Sequence, residues 1–210
     1  APLQWIEGPV DMIEIYVQTF KDTWFAVALN QQQILTTTFN ATEKAALNSI
    51  LEHLPFNYPF QVCHNPSNLA KDVLATLKEV YDGKDPHATY NLAMEKLPSY
   101  TKKVLQATVA IPTGYITPYG ALAHAVGGGP RAVGNVMAAN PFAPLIPCHR
   151  VVKSDFSLGG YGMGLKLKAE MLYREKRGYT ESKKVPVNGN SLTVYPAECT
   201  LKTLQGLQLL

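Results

Sequence analysis

The residues best suited to chemistry lie together in Pro141-Phe142-Ala143-Pro144-Leu145-Ile146-Pro147-Cys148-His149-Arg150-Val151-Val152. A cysteine sits there between an apolar run and a His-Arg pair, and no acidic residue occurs from Thr101 to Arg150. The thiolate is the reactive form of cysteine, and neighbouring positive charge lowers the thiol pKa. Cys148 is thus a nucleophile candidate, and His149 a base or proton carrier. On its own the Cys-His pair is weak evidence, because a buried inert cysteine beside a surface histidine gives the same two letters. A zinc site would need more ligands. Cys63-His64 with His53 or His87 is the nearest set, its spacing matches no zinc module, and no metal is expected. Cys63 and Cys199 carry no motif and read as structural. Three scattered cysteines make no disulfide framework and suit a reducing, intracellular setting.

The elements that must position Cys148 follow from periodicity. Met12 to Phe20, Trp24 to Leu29 and Ile34 to Phe39 read as strands, with a turn at Asn30-Gln31-Gln32. From Ala41 to His53 the period becomes helical, with Asn40 as cap, Glu43 completing a capping box, and a stripe of Ala46, Leu47, Ile50, Leu51 and Leu54. A second helix is predicted from Ser67 to Asp82, with Leu69, Val73, Leu77 and Val80 on one side and Gly83 as stop. Strands followed by helices make an α/β or α+β N-terminal domain. The second half reads as helical with glycine-rich joints. Ser99 caps a helix through Val104, Leu105, Thr108 and Val109, which Pro112-Thr113-Gly114 ends. Thr117 caps the next, with Pro118 at its first position and Gly127 at its close; Pro130 opens another, ended by Asn140-Pro141. Two short helices across so tight a turn have helix-turn-helix geometry, as do many plain helical hairpins.

Ala132, Gly134, Ala138 and Ala139 give the second helix of that pair small side chains on several faces. Only Arg131 and Asn135 could read base edges in a major groove. Small residues let a backbone approach a narrow minor groove, or simply another helix, and the second is the commoner reason for them. Charge is divided too. Residues 1–100 hold six Lys and eleven Asp/Glu (6 − 11 = −5), and residues 101–180 hold ten Lys/Arg and three Asp/Glu (10 − 3 = +7). The second half therefore suits an anionic partner, nucleic acid among them.

With 46% hydrophobic and 17% charged residues in 210, the chain can bury a core; composition excludes a disordered, fibrous or disulfide-dense class. No apolar run approaches about 20 residues, so no membrane span is expected. Glu7, Asp11 and Glu14 near the start, without a basic leader, argue against a signal peptide.

The run Pro147-Cys148-His149-Arg150-Val151, preceded by Arg131-Ala132-Val133-Gly134 and Asn140-Pro141, resembles the active-site region of O6-alkylguanine-DNA alkyltransferases (methylated-DNA–protein-cysteine methyltransferases). Gly114-Tyr115-Ile116-Thr117-Pro118-Tyr119-Gly120-Ala121-Leu122-Ala123 is similar to that family's entry into its helix-turn-helix, and Gly159-Gly160-Tyr161-Gly162 with 168–175 to its substrate loop and last helix. The likeness is colinear over residues 98–179. It implies a two-domain α/β (α+β) protein: a ribonuclease H-like sheet with flanking helices over 1–88, a helical, winged-helix-like domain over 89–180, and an extension of unread role over 181–210. An Asn-Gly hairpin is expected in that extension, within 185–194.

The resemblance also implies a function. The family moves an alkyl group from guanine O6, and from O4-alkylthymine, to its own cysteine once per molecule, without a cofactor. Cys148 would be the nucleophile, His149 its base through a water, and Glu175 the acid orienting His149. Tyr119 would turn the target's phosphate and hydrogen-bond the leaving base. Arg131 would fill the place of an everted base, with Ala132, Gly134 and Asn135 near the duplex. Asn140 would hold the turn before the cysteine strand, backbone groups of Cys148 and Val151 would read guanine, and Tyr161 and Gly162 would wall the pocket. Gly162 stands where many relatives carry serine or arginine, so only its backbone could reach O6, and the glycine-rich loop could admit bulky alkyl groups. The implied partner is double-stranded DNA containing alkylguanine, met by a monomer with no membrane, in a nucleus if the source is eukaryotic and otherwise in cytoplasm. A damage sensor without transfer, or a cysteine hydrolase with turnover, are the competing readings.

Overall fold

The computed structural model describes residues 12–31 and 33–204. Strands β1 (Ile13–Phe20), β2 (Thr23–Leu29) and β3 (Ile34–Asn40) form an antiparallel meander, as their β-branched and aromatic content predicts. Gln32 of the expected turn lies outside the described residues. Strand β4 (Phe60–Cys63) runs parallel to β1 and completes the order β3-β2-β1-β4. This strand was not legible: four residues, mostly exposed, carry no alternation.

Both faces of this sheet are covered. Ile13, Ile15, Ala26 and Ala28 face Ala46 and Ile50 of α1 (Glu43–Glu52). Tyr16, Phe25, Val27 and Leu29 share a cluster with Val73, Leu74 and Leu77 of α2 (Asn68–Tyr81). Successive strand residues point to opposite faces, so β2 is buried as a nearly continuous apolar run. The cap of α1 is Thr42, whose hydroxyl accepts the Ala45 N–H at 3.1 Å; Asn40 still belongs to β3 and accepts the Ala41 N–H instead. Ser67, expected as the first residue of this helix, is instead its cap, its hydroxyl accepting the Ala70 N–H at 3.2 Å. Leu51 and Leu69 of the expected stripes are left 40% and 39% exposed, because the buried arcs are narrower than those stripes.

The second half departs further from expectation. Helix α3 (Ser99–Val109) has Pro98, not Ser99, at its cap, with no side-chain bond. Tyr115–Pro118 is not the start of a helix but strand β5; helix α4 (Tyr119–Val126) follows it directly. Thr117 is therefore no cap: it is buried in the strand and donates to the Thr193 carbonyl at 2.9 Å. Helix α5 (Pro130–Ala138) opens on its proline as predicted, three residues after α4. Cys148–Arg150 is one tight helical turn, leading into β6 (Val151–Val152); α6 (Leu165–Glu175) follows.

The C-terminal part is thus not purely helical. Strands β7 (Lys183–Val187) and β8 (Asn190–Pro196) make the expected hairpin, with Asn188 and Gly189 at φ 47° and 77° in its two-residue turn. Together they extend a second sheet in the order β6-β5-β8-β7, and α7 (Glu198–Leu204) packs with it. The fold is mixed α/β with two sheets. The partners of β5 are remote in sequence, Thr117 pairing with Val151 at a separation of 34 residues and Tyr115 with Pro196 at 81, distances that local pattern cannot report. Among the described residues no helix is long and apolar enough to cross a membrane.

Candidate active site

The segment before Cys148 has little regular structure, so it is fixed from outside. Asn140 closes the turn at both ends, its Nδ2 donating to the Ile146 carbonyl (2.9 Å) and its Oδ1 accepting the Phe142 N–H (3.0 Å). The N-terminal sheet supplies the rest. Thr37 donates its N–H to the Pro141 carbonyl and its hydroxyl to the Ala143 carbonyl, both at 3.0 Å, and the Thr36 hydroxyl donates to Pro141 at 2.5 Å. Edge strand β3 therefore grips the loop that carries Cys148.

Cys148 is 7% exposed. Burial pushes its thiol pKa up, while a hydrogen bond from Asn140 and the charge of Lys168 pull it back. This corrects the expectation that the adjoining His-Arg pair would lower it. Arg150 is occupied elsewhere: its Nε and Nη2 donate to the two oxygens of Glu175 at 2.9 Å, its Nη1 to the Ile111 carbonyl at 2.7 Å, and Nη2 also to Thr113 Oγ1 at 3.1 Å.

Glu175 also meets His149, whose Nε2 lies 2.7 Å from Oε1; the carboxylate can only accept, so Nε2 carries the hydrogen. The other nitrogen, Nδ1, is left as the lone-pair nitrogen and has no protein partner. Burial pushes the His149 pKa down, against the pull of Glu175, so the ring is neutral at neutral pH. Burial by itself would raise Glu175, but His149 and Arg150 hold it at about 2. The result is a buried, ionised carboxylate orienting a neutral histidine, next in the chain to a buried thiol.

Lys168 was not foreseen. It is fully buried on α6, and its ammonium donates to the carbonyls of Val151 (2.7 Å), Leu158 (2.5 Å) and Gly160 (3.1 Å). Those three acceptors tie β6 to the start of the glycine loop. Burial lowers its pKa to about 8, with Cys148 opposing. The ammonium also lies 5.8 Å and 5.9 Å from the ring centres of Tyr119 and Tyr161. A signal existed: Lys168, Met171, Leu172 and Glu175 follow i, i+3, i+4, i+7, so both charges share the stripe that faces inward.

A cavity of about 520 Å³ opens onto Cys148, lined by Tyr119, Asn140, Tyr161, Gly162 and, from α5, Arg131 and Gly134. Arg131 and Asn135 are exposed one turn apart, and Ala132 is half-buried. His149, Glu175 and Val151 are buried behind this cavity and do not line it. The Val151 carbonyl already receives Lys168. Burial raises the pKa of both Tyr119 and Tyr161. Gly159, at φ +72°, lies under the Tyr119 ring; a Cβ there would come within 2.9 Å of it. Met163, overlooked in the sequence, lines the cavity as well. Among the described residues no three His, Cys, Asp or Glu side chains are gathered to hold a metal ion.

Comparison with known proteins places this geometry. Residues 99–177 match the family described as 6-O-methylguanine DNA methyltransferase, DNA binding domain. A methylated-DNA–protein-cysteine methyltransferase of Pyrobaculum aerophilum is 51% identical over 73 residues, 35% of this chain and 49% of that protein. Its counterpart in Methanocaldococcus jannaschii is 37% identical over 120 residues, 55% of this chain and 71% of the relative. The chain thus spans about half the length of the first relative and more of the second. The crystal structure of O6-methylguanine-DNA methyltransferase from Pyrococcus kodakaraensis superposes with a TM-score of 0.64 at 28% identity, covering 77% of this chain and 98% of that one.

Proposed function

Since this chain belongs to the methylated-DNA–protein-cysteine methyltransferase family, we propose that it repairs DNA by taking the alkyl group of O6-alkylguanine, and of O4-alkylthymine, onto Cys148, irreversibly and once per molecule. The observation that carries this is the buried array of Cys148, neutral His149 and ionised Glu175 behind a cavity that a nucleobase could enter. The cavity is far larger than a methyl group requires, as a site for a whole flipped base must be.

The chain's residues supply each step. His149, with its Nε2 hydrogen committed to Glu175, accepts the Cys148 proton at Nδ1 through a water. The thiolate, held by Asn140 and the charge of Lys168, attacks the alkyl carbon in line. The S–C bond forms as the C–O6 bond breaks, and the electron pair leaves with guanine. Tyr119 hydrogen-bonds the departing anion, and in the net reaction the thiol proton ends on guanine. Glu175 stays ionised throughout because Arg150 neutralises it from the far side.

The bound partner is double-stranded DNA, engaged by a monomer through α4 and α5, the helix-turn-helix of a winged-helix-like unit. The small side chains of α5 approach the minor groove, and Arg131 takes the place of the everted base. Backbone groups of Cys148 and Val151 read the guanine edge, while Tyr161 and Gly162 wall the pocket. Residues up to 88, ribonuclease H-like in this reading, support the active-site loop; residues 89–180 bind and react. No cofactor takes part. The test is intact-protein mass spectrometry after incubation with a duplex containing O6-methylguanine. One methyl equivalent on the peptide containing Cys148 is expected, and none with Cys148→Ala, which should still bind DNA. Binding without a mass change would leave a damage sensor, and repeated turnover a hydrolase; either result sinks the proposal.

A further inference from the structure

The cavity over Cys148 has a neighbour. A second cavity of about 400 Å³ lies between the glycine loop and the N-terminal half, bounded there by Phe39 and Asn40 of β3, Asp22 of the β1–β2 turn and Tyr81 at the end of α2. The two cavities share two lining residues, Gly162 and Met163. The wall between them is thus one short stretch of chain. Gly162 contributes no side chain to it, and a Cβ built there would meet nothing within 4 Å. Met163 contributes an unbranched thioether, the apolar side chain that changes shape most easily.

From this geometry we infer that the second cavity is an extended subsite for the transferred group, with Met163 as the gate. The inference rests on the reading of Cys148 as alkyl acceptor. Its occupant is an O6 substituent much longer than methyl: an arylalkyl stem that passes Met163 into the Phe39–Tyr81 end, with a hydrogen-bonding tail toward Asp22 and Asn40. The space suffices, since a cavity of about 150 Å³ accepts a benzene ring. Its lining offers both kinds of contact, apolar from Phe39, Tyr81 and Leu167 and polar from Asp22, Thr23 and Asn40. This gives the N-terminal half a part in choosing substrates, in addition to gripping the active-site loop.

The test is single-turnover transfer from duplexes carrying O6-methylguanine or O6-(4-phenylbutyl)guanine. Ala41 lies at the second cavity's border, is exposed, and touches none of the reacting groups. Ala41→Phe should lower the phenylbutyl rate about tenfold and leave methyl transfer unchanged, the size of effect that filling an apolar pocket produces. Met163→Ala should raise the phenylbutyl-to-methyl ratio, and Met163→Trp lower it, each by about tenfold. Thr23→Phe fills the same cavity from another side should Ala41→Phe fold poorly, and thermal melting identifies that case. An unchanged ratio in the folded Ala41 or Thr23 variant overturns the subsite, even if Met163 matters. Failure of the unaltered protein to transfer methyl overturns instead the repair reading beneath it.

Discussion

Glu175 ties one buried carboxylate to His149 and Arg150, and the acid response of the protein should follow from it. Its pKa is depressed, from 4.5 to about 2. A depressed carboxylate contributes stability that is present above its unfolded value and lost as pH falls through its folded one. The gap between 4.5 and about 2 corresponds to about 3 kcal/mol, lost progressively below pH 4.5. His149 acts earlier: its pKa also lies below the ordinary 6.5, so the folded state begins to lose ground as pH drops under that value. Urea unfolding from pH 7 to pH 3 should show both windows. Glu175→Gln should remove the lower one and cost about 3–5 kcal/mol at pH 7, because Arg150 is left buried without its carboxylate. The same change should slow transfer at least about 100-fold, through loss of the group that orients the base. A variant as acid-sensitive as the parent would show that the ion pair does not govern this response.

Two elements make separate predictions. On α5, Arg131 is exposed at the cavity rim among small residues. Arg131→Ala should slow repair of a duplex more than reaction with free O6-benzylguanine, since only the duplex requires a base to leave its stack at a cost of a few kcal/mol. Equal slowing of both would remove Arg131 from that role. The other element is the end of α2. Gly83, at φ +83°, lies so close to α6 that a Cβ would be 2.5 Å from the Arg174 carbonyl carbon and oxygen. Arg174 donates to the Tyr81 carbonyl at 3.0 Å with its guanidinium 4.6 Å from the Tyr81 ring centre, and Arg177 donates to the Gly83 carbonyl. This contact docks the last turn of α6, and hence Glu175. Gly83→Ala should therefore lower stability by about 2 kcal/mol or more, as measured by chemical denaturation, and slow transfer as well. Stability within error of the parent would mean that the two helix ends separate freely. Helices α2 and α5 were legible because Ser67, Gly83 and Pro130 are local punctuation; β5 was not, because its partners are remote.

For the molecule as a whole, residues 181–204 are structural rather than an appendage. β8 pairs with β5, and Leu192, Val194, Ala197, Leu201 and Leu204 are buried. Each large buried aliphatic contributes about 1.5–3 kcal/mol, and a domain has only about 5–15 kcal/mol in reserve. A chain ending at residue 180 should lose cooperative thermal unfolding and aggregate. If it melted like the parent, β5 would need no cover from β8.

The sequence by itself determined which residues were candidates: Cys148 and His149 by residue type in a stretch without acidic residues, Glu175 only through the family resemblance, and the meander, α1, α2 and the Asn-Gly hairpin as local periodicities and turn signals. Only the tertiary structure decided how that chemistry is poised. Burial raises the thiol where adjacent charge was expected to lower it, because Arg150 is spent on Glu175. Lys168 gained its three acceptors, β5 its two partners, and the Cys148 loop its grip from Thr36 and Thr37 only when distant segments met. Identity and spacing are written along the chain, whereas desolvation and hydrogen-bond partnership depend on what folding brings alongside.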